Sequence, residues 1–413
     1  MLQTKILEQL GIESLRPFQE AVLEQLLAGT DALCIAPTSA GKSVIFQALA
    51  LQREQLVIVV EPHLALELDQ VRQMHKRGIA AATSNSLLPS ADKRQVLEQI
   101  ASGQLRLLYV TPEMLQNVEL KQTIRECKIA GVMVDEAHCI VKQGSGFRED
   151  YLRIKDFVAG LPERPVVAAF TATATPETAD EIAVKLALRA PYIHRMSVAR
   201  DNILLRVIEV GQGLGGRKDA EVIEQRKREE ILTLLRKCKT GRVVIYSNTV
   251  KRVEKLYKFL KKSGFSVACY HGKCKNKMEI LQDFQNGKQR IMVCTNAFGL
   301  GVNIPDIRMV IHHAPLIGLD DYTQEVGRAG RDGKKSKAVL LWHSYDFTIC
   351  EHLIHKNALD LTGKELKQRL AALHALRRYV QTEDRCRWQM IREFFGEQPG
   401  KRCKKRCDYC KRK

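Results

Sequence analysis

A short apolar run at residues 33–35 leads directly into Ala-Pro-Thr-Ser-Ala-Gly-Lys-Ser at residues 36–43, and a helix-like apolar run follows at residues 44–51. This order of strand, turn and helix is typical of a phosphate-binding loop. The backbone N–H groups of such a turn converge on an anion, and the positive end of the helix dipole points at the same place. The segment therefore predicts a site for a nucleoside triphosphate such as ATP.

Three residues at the end of this loop have distinct chemical roles. Gly41 permits close approach of the backbone, Lys42 reaches the β and γ phosphates, and the hydroxyl of Ser43 is placed to bind Mg²⁺. The usual first glycine of the motif is Ala36 here, so an ordinary strand-to-helix turn is the alternative. The predicted nucleotide-binding residues are Thr38, Ser39, Ala40, Gly41, Lys42 and Ser43.

A pair of carboxylates supplies the second half of the predicted site. The apolar run at residues 129–134 ends in Asp135 and Glu136. At the carboxyl end of a buried strand, Asp135 can hold Mg²⁺ through its water shell, and Glu136 can orient or deprotonate the attacking water. A solvated acidic strand end is the alternative, and the lysine loop weighs against it. Together the two motifs predict ATP hydrolysis.

Apolar strand-like runs alternate with helical segments along most of the chain, which is typical of parallel sheets covered on both faces. A polar stretch at residues 211–218 resembles a linker or an exposed loop. We expect an α/β fold with two parallel-sheet lobes at residues 1–205 and 206–345 and a helical module at 346–413. The predicted strands lie at residues 33–35, 57–60, 107–110, 129–134, 166–170, 243–246, 266–270, 290–293, 309–312 and 338–342.

The second lobe carries its own motif at residues 324–333, Gln-Glu-Val-Gly-Arg-Ala-Gly-Arg-Asp-Gly. Arg328 and Arg331 are three residues apart, so we expect both on one helix face, aimed at one target. A guanidinium supplied by a second lobe stabilises the charge that develops during phosphoryl transfer. Arg331 is the preferred catalytic arginine, with Arg328 beside it; a solvated basic helix is the alternative.

Four cysteines follow the second lobe: Cys386, Cys403, Cys407 and Cys410. Tetrahedral Zn²⁺ takes four soft ligands, and a Cys-x2-Cys pair bends the chain tightly enough to supply two of them. The alternative is reduced cysteines in a basic tail. The other eight cysteines are scattered through apolar contexts, which favours buried thiols rather than disulfides.

The charge balance indicates a polyanionic partner. The chain has 413 residues, with 66 Lys and Arg against 47 Asp and Glu, and a formal net charge of +19. Nucleic acid fits this excess through phosphate neutralisation and counterion release. No apolar stretch approaches the roughly 20 residues that span a bilayer, and residues 1–11 lack a signal-peptide core. We expect a cytoplasmic protein, associated with the nucleoid if it is bacterial.

These motifs, in this order, resemble those of the superfamily 2 helicases and, within them, the RecQ family. The resemblance implies two RecA-like lobes in tandem, followed by a small helical zinc-binding module. It also implies an ATP-dependent DNA helicase that moves 3′ to 5′ in repair or recombination. Gln19 would bind the adenine, and Thr171 and Thr173 would couple the nucleotide state to DNA contact. The matching segments are residues 12–19, 36–43, 61–66, 110–113, 135–139, 170–174, 270–272, 293–303, 324–333 and 386–410.

Three departures from the family pattern bear on function. In the loop at residues 140–151, the usual tryptophan and histidine are Gln143 and Ser145, although Phe147 and Arg148 remain as expected DNA contacts. The gap between Cys403 and Cys407 is one residue longer than usual. The chain stops three residues after Cys410, so we expect a short form without the winged-helix and terminal helical domains.

The expected partners are single-stranded and partly duplex DNA. If the winged helix is absent, strand separation depends on the lobes, the zinc module or a partner protein. The alternatives are a DNA-dependent translocase that does not unwind and a DNA-binding scaffold without ATPase activity. RNA is also an alternative, because contacts to a nucleic-acid backbone discriminate little between sugars.

Overall fold

The structure is a computed structural model that describes residues 4–37, 40–141, 148–298, 304–356, 362–398 and 400–412. Its contacts divide the chain into two compact units, Met1–Ser197 and Val198–Lys413. Each unit is built on a parallel sheet, which confirms the α/β fold class. Within the described ranges, no helix combines the length and the hydropathy needed to cross a bilayer.

The first unit contains a sheet with the strand order β3-β4-β2-β5-β6-β1-β7, in which all neighbouring strands are parallel. The strands are β1 (Ala32–Ile35), β2 (Leu56–Val60), β3 (Ala81–Ser84), β4 (Leu107–Val110), β5 (Ile129–Val134), β6 (Val166–Thr171) and β7 (Tyr192–Arg195). The helices are α1 (Thr4–Leu10), α2 (Pro17–Leu27), α3 (Ser43–Arg53), α4 (Leu64–Lys76), α5 (Ser90–Ala101), α6 (Val118–Arg125), α7 (Arg148–Leu152), α8 (Ile154–Ala159) and α9 (Pro176–Lys185). Short 3-10 turns lie at Pro112–Gln116 and Ala137–Ile140.

Helices cover both faces of this sheet. Successive side chains of a strand point to opposite faces, and on both faces they are packed in a hydrophobic cluster. In β2, Val57 and Val59 belong to one hydrophobic cluster, while Ile58 and Val60 belong to another. All five residues of β2 are buried. Burial on both faces explains why the central strands are continuous apolar runs rather than alternating ones.

The second unit contains a sheet with the order β10-β11-β9-β12-β13-β8, again with parallel neighbours. The strands are β8 (Ile203–Glu209), β9 (Arg242–Tyr246), β10 (Val267–Tyr270), β11 (Ile291–Cys294), β12 (Ile307–His312) and β13 (Ser336–Trp342). The helices are α10 (Ala220–Lys237), α11 (Val250–Lys262), α12 (Lys277–Gln285), α13 (Leu319–Val326), α14 (Ser344–Lys356), α15 (Gly363–Gln381), α16 (Arg387–Phe394) and α17 (Asp408–Arg412). A 3-10 turn lies at Gly216–Asp219.

Three strands were not among the sequence predictions: β3, β7 and β8. Strand β8 precedes the polar stretch at residues 211–218, which therefore lies inside the second unit, between β8 and α10. Strands β7 and β8 are edge strands, and β3 is the other edge of the first sheet. The edge strands β7 and β8 are partly exposed, whereas β3 is buried but consists of small residues, Ala-Ala-Thr-Ser. None of the three therefore has the continuous run of large apolar residues that identifies a central parallel strand.

The C-terminal helices are fastened to strand β8. The indole N–H of Trp388 donates to the carbonyl of Ile203 at 3.2 Å, and the N–H of Leu205 donates to the carbonyl of Arg406 at 3.0 Å. One hydrophobic cluster runs from the second sheet into the cysteine region. The predicted helical module is therefore present and packs as part of the second unit.

Candidate functional site

The predicted phosphate loop connects β1 to α3. The N–H of Ala36 donates to the carbonyl of Thr171 at 3.0 Å, which continues the β1–β6 pairing into the loop. Gly41 has φ +82°, a left-handed conformation that favours glycine. Lys42 is 6% exposed, and its Nζ donates to the carbonyl of Ala36 at 3.2 Å. Its ammonium group is thus held inside the loop. Thr38 and Ser39 lie outside the described residues.

Two residues of the α2 region brace this loop. A guanidinium N–H of Arg16 donates to the carbonyl of Ala40 at 2.8 Å, and the side-chain amide of Gln19 donates to the carbonyl of Gly41 at 2.7 Å. The Gln19 oxygen accepts from the N–H of Arg16 at 2.8 Å. A side chain at position 41 would place its Cβ 2.9 Å from the Gln19 amide nitrogen. Gln19 therefore lies against the loop; its contact with adenine stays a prediction. The bracing role of Arg16 was not predicted.

Asp135 and Glu136 lie where β5 ends, and β6 alone separates β5 from β1. Glu136 has φ +46°, and its N–H donates to the Asp135 carboxylate at 2.8 Å. Burial raises the pKa of Asp135, the Glu136 charge raises it further, and the charge of Lys42 opposes both. Burial also acts to raise the pKa of Glu136, but the hydrogen bond and charge of His138 hold that pKa well below its usual range. Parallel strand ends thus bring Lys42 into electrostatic range of both carboxyls.

A third carboxyl, Glu61, belongs to this cluster and was not predicted as a site residue. It follows β2, the neighbour of β5, and is 2% exposed. Burial and then the charges of Asp135 and Glu136 raise the pKa of Glu61 well above its usual range. The sequence contained the signal, because Glu61 follows an apolar run just as Asp135 does. Its proximity to Asp135 depends on the strand order.

Glu67 on α4 is a further buried carboxyl of the first unit. It is fully buried and accepts from the hydroxyl of Thr83 at 2.6 Å and from the amide of Asn85 at 3.4 Å. Burial raises the pKa of Glu67 to about 7, and the charge of Glu113 adds to that effect.

His138 connects Glu136 with the end of β6. Its Nδ1 lies 3.2 Å from the Glu136 carboxylate and 3.2 Å from the hydroxyl of Thr171. Thr171 donates its own hydroxyl hydrogen to the carbonyl of Thr173 at 3.2 Å. Both threonines are buried. These contacts link Glu136 to the segment that the sequence associates with nucleic-acid coupling; direct contact of Thr171 and Thr173 with nucleic acid stays a prediction.

Tyr151 on α7 is another residue that the sequence did not identify. It is fully buried, and its hydroxyl donates to the carbonyl of Asp135 at 2.9 Å. Helix α7 begins at Arg148, of which the structure describes the backbone, and Phe147 lies outside the described residues. Their predicted DNA contacts stay predictions. Tyr151 ties the backbone of the acidic pair to the helix that follows the variant loop.

Arg328 and Arg331 do not lie on one helix face, so that expectation was wrong. Helix α13 ends at Val326, and both arginines belong to the turn after it. Gly330 has φ +55°, and its N–H donates to the carbonyl of Ile307 at 2.9 Å instead of continuing the helix. A Cβ at Gly330 would lie 2.5 Å from the Asn202 amide, so only glycine fits.

The turn is held from several directions. Arg200 and Asn202 donate to the carbonyl of Gly330 at 3.0 and 2.8 Å. Inside α13, the Glu325 carboxylate lies 2.9 Å from the His312 ring, and burial raises the pKa of Glu325. Arg328 is 7% exposed, so its side chain is largely buried. The catalytic roles of both arginines stay predictions.

The four C-terminal cysteines converge. The sulfur atoms of Cys386, Cys403, Cys407 and Cys410 all lie within 4.8 Å of one another, and Cys403 and Cys407 are separated by 3.5 Å between sulfurs. Zn–S bonds of about 2.3 Å in a tetrahedron require sulfurs about 3.8 Å apart, so the cluster fits zinc.

The extra residue between Cys403 and Cys407 is accommodated by the backbone. Lys404 and Lys405 have φ values of +44° and +67°, both in the left-handed region. The N–H of Arg406 then donates to the carbonyl of Cys403 at 3.0 Å, closing the turn. The longer spacing therefore leaves all four sulfurs together.

A buried ion pair supports the cysteine module. Arg387 is 3% exposed, and its Nε donates to the Asp408 carboxylate at 3.1 Å. The guanidinium also donates to the carbonyl of Tyr379 and lies over the Tyr379 ring, 5.3 Å from its centroid. The second oxygen of Asp408 accepts from the N–H of Val207 at 2.9 Å. Asp408 thus joins the module to β8.

Comparisons with known proteins match the same three regions. Residues 16–182 match the DEAD/DEAH box helicase family, residues 226–333 match the helicase conserved C-terminal domain, and residues 344–411 match the RecQ zinc-binding family. Among solved structures, Mycobacterium smegmatis helicase Lhr, bound to ssDNA and AMP-PNP, is similar with a TM-score of 0.66 at 21% identity. That likeness covers 95% of this chain and 55% of Lhr, and it concerns the fold.

The ATP-dependent DNA helicase RecQ of Pasteurella multocida is 33% identical over 97% of this chain, which spans 60% of that relative's length. The RecQ helicase of Synechocystis is 36% identical over 80% of this chain, and the match covers 68% of the relative. Along this chain, the DEAD/DEAH box region comes first, the helicase C-terminal region second and the cysteine module third. On this likeness and on the geometry above, the chain belongs to the RecQ family of helicases.

Proposed function

We propose that this chain hydrolyses ATP to drive 3′ to 5′ movement along single-stranded DNA and unwinding of duplex DNA, in repair or recombination. One observation supports it above others: the enclosed Lys42 lies in electrostatic range of the carboxyls Asp135 and Glu136. Lys42 follows β1 and the two carboxyls follow β5, one strand away in the sheet of a RecQ-family chain. A cluster of buried charged groups at the carboxyl ends of parallel strands is typical of a nucleotide-binding site.

In this proposal the loop residues hold the phosphates of ATP. Lys42 neutralises the β and γ phosphates, and Ser43 and Asp135 would hold Mg²⁺, which would offset negative charge there. Three carboxyls, Glu61, Asp135 and Glu136, meet here, and a bound divalent cation relieves their mutual repulsion. Thr38, Ser39, Ala40 and Gly41 complete the loop in the same proposal.

Glu136 activates the attacking water. Although burial opposes it, the hydrogen bond and charge of His138 lower the pKa of Glu136. The ionised carboxylate is therefore available to accept a hydrogen bond from the attacking water and to orient it. Arg328 and Arg331 stabilise the charge that develops on the γ phosphate. Hydrolysis and product release then change the grip of the two units on the strand, because some contacts exist only while the γ phosphate is present.

Two single-residue variants test the assignment of ATPase activity. We expect Glu136→Gln and Lys42→Ala each to lower DNA-stimulated phosphate release at least about 100-fold. The first removes the group that activates the water, and general acid–base catalysis contributes roughly 10²–10⁴-fold. The second removes the charge that neutralises the phosphates. Glu126→Gln and Lys76→Ala change exposed residues of the same types in the same unit and should retain wild-type rates. Near-normal turnover in the Glu136 or Lys42 variants would remove these assignments.

Strand displacement separates the helicase from a translocase. A duplex with a 3′ single-stranded overhang should be unwound in the presence of ATP, whereas a 5′ overhang should not. ATP hydrolysis stimulated by DNA without release of the strand would favour the translocase. No stimulated hydrolysis at all would favour a DNA-binding scaffold.

The nucleic-acid type is tested by comparing oligonucleotides. We expect single-stranded DNA to stimulate ATP hydrolysis more than RNA of the same sequence does. The positive charge of the chain acts on either backbone, so the ratio of the two rates, rather than binding alone, distinguishes the substrates. Equal or greater stimulation by RNA would contradict the assignment to DNA.

A further inference from the structure

The outer edge of strand β8 lies at the bottom of a cleft of about 930 Å³ within the second unit. Helix α10 forms one wall, and the end of α15 with helix α17 forms the other. The cleft follows the outer edge of β8 and also reaches Met309 of β12 and Lys337, Val339 and Trp342 of β13. It plays no part in the nucleotide chemistry described above.

The segment around the last cysteines already pairs with part of the β8 edge. Residue Leu205 forms an isolated parallel bridge with Cys407, and the N–H of Val207 donates to Asp408. In a parallel sheet, alternate residues turn their backbone groups to opposite sides of the strand. Val210 donates towards β13, at the carbonyl of Trp342, so the N–H of Glu209 points outward like those of Leu205 and Val207. Within the described residues, no strand pairs with this edge beyond the bridge at Leu205.

The walls of the cleft are strongly basic. Six exposed basic residues line it, against three acidic ones. Of these three, Asp408 is bound to Arg387, and Glu209 accepts from the amide of Gln212 at 2.9 Å. The exposed basic residues are Arg206, Arg226, Lys237, Lys337, Lys411 and Arg412.

The floor of the cleft is apolar on both sides of the strand. Ile208 and Leu234 lie on the side of α10, whereas Val207 and Val380 lie on the side of the cysteine module. An extended segment laid along the edge would place alternate side chains on these two surfaces.

We propose that this cleft binds an extended acidic peptide segment of a partner protein, which pairs with the β8 edge beyond Val207. Backbone hydrogen bonds to the edge give affinity, apolar side chains enter the floor, and acidic side chains meet the basic walls. A nucleic-acid backbone fits less well, because the strand presents outward carbonyl oxygens and apolar side chains where phosphates would lie.

The first experiment uses a fluorescein-labelled ten-residue peptide of alternating glutamate and valine, with a lysine–valine peptide as its control. Fluorescence anisotropy with the full chain should give saturable binding of the acidic peptide and none of the basic one. The double variant Arg206→Glu and Lys237→Glu should weaken binding at least tenfold. Lys258→Glu with Lys262→Glu on α11 makes the same charge change away from the cleft and should leave affinity unchanged.

A matched pair of variants tests the strand pairing itself. Glu209→Ala keeps the outward N–H and should bind the acidic peptide at least as well as wild type, whereas Glu209→Pro removes the N–H and should lose binding. An edge position tolerates proline because the missing N–H does not bond within the sheet. Hydrogen exchange on the wild-type chain gives an independent readout, since the peptide should slow exchange of the Glu209 amide.

Three results would each overturn the proposal. The first is that the acidic peptide shows no saturable binding. The second is that Glu209→Pro and Glu209→Ala bind it equally and that the peptide does not change hydrogen exchange at the Glu209 amide. The third is that a single-stranded oligonucleotide displaces the peptide and its own binding falls equally in the Arg206 and Lys237 variant, which would assign the cleft to nucleic acid.

Discussion

The strand-end site of the first unit and the cysteine module of the second both bury ionisable groups, but they compensate them differently. In the first, burial raises the pKa of Glu61, Asp135 and Glu67, and neighbouring carboxyls add to the shift. In the second, the charge of Arg387 is matched by Asp408. The first region therefore carries an excess of buried carboxyls, which suits a ligand that binds and dissociates. In the second region, the charge of Arg387 is neutralised by Asp408, and the cysteines suit a permanently bound metal.

The largest expected effect is on the metal. Cys407→Ser removes a fully buried sulfur from the cluster, so we expect loss of about one equivalent of zinc per chain by elemental analysis. Structural zinc contributes roughly 10–16 kcal/mol in zinc-finger peptides, so the free energy of unfolding should fall by about 5 kcal/mol or more. Cys238→Ser, outside the cluster, should retain both zinc and stability. A zinc-free wild-type chain after gentle purification would contradict the comparison.

The next effect concerns the buried ion pair. Asp408→Ala leaves the Arg387 guanidinium without its carboxylate and the N–H of Val207 without its acceptor. We expect a loss of about 3 kcal/mol in thermal or urea unfolding, because an uncompensated buried charge is strongly unfavourable. Asp408→Asn keeps an acceptor oxygen and should lose less. Equal losses for the two variants would mean that Asp408 acts through its charge alone, and wild-type stability of both would show that the pair with Arg387 does not stabilise the module.

In the first unit, removing a buried charge should raise the free energy of unfolding instead of lowering it. The pKa of Glu67 rises from 4.5 to about 7 on folding, so its stabilising contribution is fully present below pH 4.5 and is lost as pH rises through 7. Glu67→Gln should therefore resemble wild type at pH 4.5 and be more stable by about 3 kcal/mol at pH 8. Thermal unfolding across this range measures the difference. Glu126→Gln is the exposed control, and a difference that does not change with pH would contradict the assignment.

The smallest expected effect is at Tyr151. Tyr151→Phe removes the hydroxyl that donates to the buried carbonyl of Asp135, at a cost of about 1 kcal/mol in unfolding free energy. Tyr192→Phe removes a hydroxyl with a longer contact, 3.5 Å from the His194 ring, and should change less. A Tyr151 variant as stable as wild type would show that α7 is not tied to the acidic pair through this bond.

Central strands were predictable because they are buried on both faces. The apolar run at residues 129–134 is strand β5, and residues 107–110 are strand β4. Strand β8 contains Arg206 and lies at an edge, so its side chains give no continuous apolar signal. The helix-face prediction for Arg328 and Arg331 was wrong because α13 ends at Val326, and tertiary hydrogen bonds to Gly330 fix the turn that follows.

The site was predictable where one short segment carries the chemistry. Lys42 and the acidic pair each follow an apolar strand, and parallel strands bring such ends to one edge. Arg16, Glu61 and Tyr151 act through partners that are distant in sequence: Ala40, Asp135 and the Asp135 carbonyl. Strand order and helix placement decide those contacts, and no local pattern reports them.

The attachment of the cysteine module to β8 has a mechanical consequence. Trp388, Arg406 and Asp408 bond to successive outward groups of one strand, at Ile203, Leu205 and Val207. These three bonds lie along one strand, so a load on the metal-binding segment is shared among them. The module and the second sheet should behave as one lever arm in a pulling experiment, yielding together rather than in sequence.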